Sequence, residues 1–113
     1  MKLKNIDGTS GNKCGCGSWL DHWARLSGQT IPKYCVVSNC CERQLVGAHV
    51  QKDSYTDRNW YIVPLCAKHN AKAESLDVPD WVTLVSANVS ETCDKGKYEG
   101  LLGNLGVSYP LRR

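Results

Sequence analysis

Residues 60–70 read WYIVPLCAKHN. Trp60 to Leu65 is an apolar run rich in β-branched and aromatic side chains, the composition of a strand. It runs into Cys66. Two residues pass, then His69 and Asn70 follow, and the stretch AKHNAKAESL after the cysteine suits a short helix over about 67–76. A C-x-x-H at the junction of strand and helix puts a thiolate and an imidazole within one turn of backbone, which is how one half of a tetrahedral zinc site is built.

Working upstream from that stretch, residues 45–50, LVGAHV, read as a second strand, and the polar loop QKDSYTDRN over 51–59 joins the two as a hairpin. Pro64 suggests that the later strand lies at an edge or a terminus. Before the hairpin comes Cys35-x4-Cys40, with Cys41 competing with Cys40 for the same role. Two short-spaced ligand pairs on either side of a hairpin close a four-ligand zinc site, here Cys35, Cys40, Cys66 and His69. The plainer reading is that some of these cysteines are small buried hydrophobes.

The chain has 113 residues, seven of them cysteine, with a net charge of +3. That length fits one domain, and so small a core gains from a metal staple. Phe is absent, so Trp19, Trp23, Trp60 and Trp81 supply the large aromatic volume. Residues 1–17 hold no apolar stretch of the signal-peptide kind, and no segment reaches membrane-spanning length. A cytoplasmic, reducing setting is therefore expected, where cysteines hold metal more often than they form disulfides. The slight basic excess is compatible with a DNA or RNA partner without demanding one.

Residues 1–17 are polar and glycine-rich and read as a flexible arm around Cys14-Gly15-Cys16. Ser18 then caps a helix over 18–27, with Asp21 three residues on, Gly28 as its stop and Trp19, Trp23 and Leu26 on one face. This accessory helix (18–34) precedes the hairpin core (35–76). An accessory strand (77–93, with Val82, Leu84 and Val85) and a loosely ordered tail (94–113) follow it. Cys14, Cys16, Cys93 and the spare of Cys40 and Cys41 are four thiols that a second ion can use. His22 is either a further ligand for it or a surface residue.

In this order, C-x(n)-C, AH and an aliphatic residue, a polar loop, and a strand ending PLC with C-x-x-H and a helix, the stretch 35–76 resembles the ββα-metal finger of HNH endonucleases. The match covers roughly a third of the chain. The fold it implies is α+β, a small zinc-stapled, treble-clef-like ββα-metal finger, here with an added N-terminal helix and C-terminal strand. By resemblance, His49 is the general base that activates water against a phosphodiester, and Asn70 binds a catalytic Mg²⁺ or Mn²⁺ apart from the structural Zn²⁺. The family's middle asparagine corresponds to Tyr61, with Asn59 two residues earlier as its substitute, and Ala48 stands where an acidic residue often precedes the histidine. The chemistry implied is metal-assisted hydrolysis, a base near its working pKa plus a Lewis acid on the phosphoryl oxygens. It requires His49 in an open cleft beside Asn70, with Lys52, Arg58, Lys68 and Lys72 near the phosphates. The alternative is a catalytically inactive zinc module that binds nucleic acid or a protein.

Overall fold

A computed structural model describes residues 1–9, 11–54 and 56–92. Five antiparallel strands form one sheet: β1 (Lys2–Asn5), β2 (Leu45–Lys52), β3 (Tyr61–Cys66), β4 (Leu76–Asp77) and β5 (Val85–Ser86), in the order β4-β1-β2-β3-β5. Two α-helices, α1 (Trp19–Ser27) and α2 (Ala67–Asn70), and a 3-10 turn at Val89–Glu91 complete the described elements. The coarse class is therefore α+β with an antiparallel sheet, as the sequence predicts. No helix among the described residues is long and apolar enough to cross a membrane.

The β2–β3 hairpin is the centre of the molecule. Its register pairs Leu45 with Cys66, Gly47 with Pro64, and His49 with Ile62. Ile62 to Cys66 are buried without a break, the pattern of a strand covered on both faces. Pro64 lies two residues from the end of β3, past the stretch that β5 pairs, as the expectation of an edge or a terminus has it. The Pro64 carbonyl accepts the Val36 N–H at 3.2 Å on the outer side, and β5 pairs only with Tyr61 and Ile62, so the missing proline N–H faces no ladder partner.

The cap of α1 is as its sequence specifies: Ser18 Oγ accepts the Asp21 N–H at 3.0 Å, and Gly28 ends the helix at φ 72. Trp23 is fully buried, and its Nε1 donates to the Thr83 carbonyl at 2.8 Å. Leu26, expected on the same face, is instead 41% exposed, while His22 is buried completely. The helix lies directly on the hairpin because Gly47 has no side chain: a Cβ there would collide with the Trp19–Leu20 backbone.

Three elements differ from expectation. The supposed flexible arm begins with a strand: β1 joins β2 and β4, Leu3 is fully buried, and the Met1 amino group donates to the Val78 carbonyl at 2.7 Å. One apolar residue between lysines is too weak a pattern to announce a strand. The helix expected over about 67–76 ends at Asn70, where Asn5 Nδ2 donates to the carbonyls of His69 (2.7 Å) and Lys72 (2.9 Å). A side chain from another strand thereby satisfies carbonyls that continued helix would have bonded. The accessory strand shrinks to β5, although Val82 and Val85 are buried as expected. Cys93 and the tail over 94–113 lie outside the described residues.

Candidate metal centre

The first ligand pair sits on a tight turn between Cys35 and Cys40. The Cys40 N–H donates to the Val37 carbonyl at 3.1 Å, and Asn39 adopts φ 67, the left-handed conformation that asparagine tolerates best among non-glycine residues. The second pair spans the end of β3 and the single turn of α2, for which Cys66 is the N-cap residue. Because β2 holds Cys66 against Leu45 and the Cys35 N–H donates to the Glu42 carbonyl at 2.8 Å, both pairs are delivered to the same end of the hairpin.

The four donor atoms of Cys35, Cys40, Cys66 and His69 all lie within 4.8 Å of one another. Cys35 Sγ is 3.5 Å and Cys66 Sγ 3.3 Å from His69 Nδ1, and Cys40 Sγ is 4.0 Å from Cys66 Sγ. A tetrahedron with Zn–S of about 2.3 Å and Zn–N of about 2.05 Å has S···S edges of about 3.75 Å and S···N edges of about 3.55 Å. These three edges match within a few tenths of an ångström, and the remaining ones stay within 4.8 Å, so the four donors form a group that could hold a metal ion. Of the two competing thiols, Cys40 is in the cluster and Cys41 is exposed outside it.

The electrostatics of the donors are mixed. Burial pushes the Cys35 thiol up to about 11, against the smaller opposing pull of the Cys66 and Val37 backbone. Burial works in the same direction on Cys66, but the amides of His69 and Lys68 and the thiols of Cys35 and Cys40 outweigh it and hold it below its ordinary value. Burial, then the charges of Lys72 and Lys68, lower His69 and keep its imidazole neutral, the form that ligates.

The residues assigned to hydrolysis are not brought together. His49 is only 6% exposed, covered by the Trp19 ring with centroids 4.5 Å apart, and Trp60 stands edge-on at 6.4 Å. Burial, and then the nearby His22, lower its pKa. Its Nε2 is buried without a hydrogen-bond partner among the described residues. Side chains alternate across a sheet, so His49 shares the α1-covered face with Gly47, while Val50 and its partner Asn5 point to the other. Asn5 is the residue that grips α2, and Asn70 is exposed at the end of that helix. His49 and Asn70 therefore belong to opposite faces.

Asn59 is exposed in the hairpin loop, its N–H donating to Asp57 Oδ1 at 2.9 Å. Tyr61 donates its hydroxyl to Asp57 Oδ2 at 2.6 Å, and Lys52 is 3.3 Å from the same oxygen. The Tyr61 hydroxyl, with lesser help from the Asn59 amide and Lys52, lowers Asp57 to about 2. Beside this network, Lys4, Gln51, Lys52, Ser54 and Arg58 help line an open hollow of about 290 Å³. Arg58 also borders a second hollow with Asn59 and the half-exposed Trp60.

Sequence reasoning undervalued His22. Its complete burial beside Trp23 carries no sequence signal, since the apolar spacing of Trp19, Trp23 and Leu26 points to a different stripe of the helix. Comparison with known proteins gave no matching family model, no matching curated protein and no matching solved structure.

Proposed function

We propose that this chain is a zinc-stapled binding module of HNH-like, treble-clef-like layout, and that it engages nucleic acid without hydrolysing it. The observation that carries the proposal is the convergence of the Cys35, Cys40, Cys66 and His69 donors, across which a structural Zn²⁺ would fix the hairpin to α2. The placement of His49 under Trp19, on the face away from Asn70, argues against a composite hydrolytic centre. Nucleic acid is supported by the hollows around Arg58. Lys4 stands on one side of it for phosphates, beside Lys52 with its Asp57 partner and Asp53, and Trp60 on the other offers a ring on which a base can stack.

A second reading, an HNH-like nuclease using Mg²⁺ or Mn²⁺, is favoured by one observation: a buried imidazole nitrogen without a partner at His49. The test runs both readings together. Binding of fluorescent single-stranded DNA and RNA is measured by anisotropy for wild type, Arg58→Ala and Trp60→Ala, and plasmid nicking with Mg²⁺ or Mn²⁺ for wild type and His49→Ala. The module reading predicts binding that weakens in both loop variants, and no nicking. Nicking that vanishes in His49→Ala would establish the nuclease instead, and a folded protein that does neither would overturn both.

A further inference from the structure

A second convergent donor set lies outside the centre described above. Cys14 Sγ, Cys16 Sγ and a ring nitrogen of His22 lie within 4.8 Å of one another. Cys14-Gly15-Cys16 reaches the start of α1, and Gly17, at φ 98, turns the chain into the Ser18 cap. His22, in the next turn of the helix, is fully buried.

The histidine is oriented for ligation. His22 Nε2 is 2.8 Å from the Ser86 carbonyl oxygen. A carbonyl only accepts, so Nε2 carries the proton, and the neutral ring keeps its lone pair on Nδ1. That Nδ1 faces Cys16 Sγ at 3.8 Å, a few tenths of an ångström beyond the S···N edge of about 3.55 Å expected around zinc. An imidazole whose second nitrogen is held by a backbone carbonyl is the usual outer-shell arrangement of a metal-bound histidine. A buried histidine serving only as packing would have no need of one thiol at its Nδ1 and a second in the same 4.8 Å cluster.

We infer that Cys14, Cys16 and His22 form a second metal site, and that its ion is Zn²⁺. Two sulfurs and one imidazole are a borderline-soft donor set, which hard oxygen-seeking cations do not favour. Binding converts both thiols to thiolates and releases two protons, giving a neutral ZnS₂N unit with one further coordination position. The site would clamp residues 14–16 to α1, and through His22 to β5, on the side of the sheet opposite α2. It is independent of the first centre in residues and position.

The full chain is purified, and its zinc is counted by native mass spectrometry and by metal analysis in the presence of a weak competing chelator. Wild type is expected to carry two ions and Cys14→Ser/Cys16→Ser one. Cys14 and Cys16 are partly exposed, so that variant is expected to keep its fold, as circular dichroism would check. Substitution with Co²⁺ gives a second readout: the sulfur-to-cobalt absorption should fall in the double variant but survive in part. One ion in wild type and one in the variant would overturn the second site while leaving the first intact. One ion in wild type and none in the variant would uphold the second site and remove the first. No zinc in wild type would overturn both.

Discussion

Gly47→Ala is expected to be among the most damaging conservative changes in the chain, although it adds a single methyl to a strand. A Cβ at Gly47 would stand 2.5 Å from both Leu20 N and Trp19 O, and closer still to the Trp19 carbonyl carbon. Ordinary contact begins near 3.4 Å, so α1 and β2 must part by roughly 1 Å. Both sides of the clash are backbone, so no side chain can rotate away to relieve it. The displacement would also loosen Trp19 from His49 and pull on the Trp23–Thr83 hydrogen bond. Overpacking of a core typically costs about 1–3 kcal/mol, and this site belongs at the top of that range. At roughly 4 °C per kcal/mol for a domain of this size, the melting temperature should fall by about 12 °C. Thermal unfolding followed by tryptophan fluorescence measures it, with Gly11→Ala as the control, since nothing lies within 4 Å of a Cβ there. A Gly47→Ala protein melting within about 2 °C of wild type would refute the close seating of α1 on the hairpin.

Three further outcomes follow from the same packing. Trp23→Ala removes a fully buried ring and its hydrogen bond to Thr83, and should cost about 3–5 kcal/mol in urea unfolding. Chelation with a strong zinc ligand, or loss of the first centre's ion in Cys66→Ser, should lower the melting temperature, and readdition of Zn²⁺ should restore only the chelated wild type. His49 makes stability depend on pH. Its folded-state pKa lies below the ordinary 6.5, so the unfolded imidazole takes up a proton first as pH falls. Stability should then decline below pH 6.5 until the folded pKa is passed, by at most about 1.4 kcal/mol per pH unit. The difference between wild type and His49→Gln, measured by urea unfolding from pH 7.5 downward, should show that decline, and a flat difference would contradict the burial of His49.

The parts of this molecule written in strong local patterns were legible before the structure. The α1 boundaries follow from Ser18, Gly28 and the tryptophan spacing, and the hairpin from two apolar runs around a polar loop. The Cys35, Cys66 and His69 part of the donor cluster was legible, with Cys40 and Cys41 left as alternatives, because C-x-x-H and C-x4-C each occupy about one turn of backbone and sequence spacing is nearly spatial spacing. What could not be read depended on contacts between distant segments. β1 exists because β2 and β4 offer it edges, and α2 stops at Asn70 because Asn5 reaches its carbonyls. The covering of His49 by Trp19 follows from one glycine that lets a helix touch a strand. A motif specifies which residues follow one another, whereas a composite site also needs the register that decides which face each one shares.

The central claim is that Cys35, Cys40, Cys66 and His69 surround one Zn²⁺. It is tested most directly by zinc-edge X-ray absorption on the Cys14→Ser/Cys16→Ser protein, in which the first centre is the one expected to hold metal. The account predicts three sulfurs at about 2.3 Å and one nitrogen at about 2.0–2.1 Å. A shell of light oxygen and nitrogen donors alone, or a folded protein that retains no zinc, would contradict it.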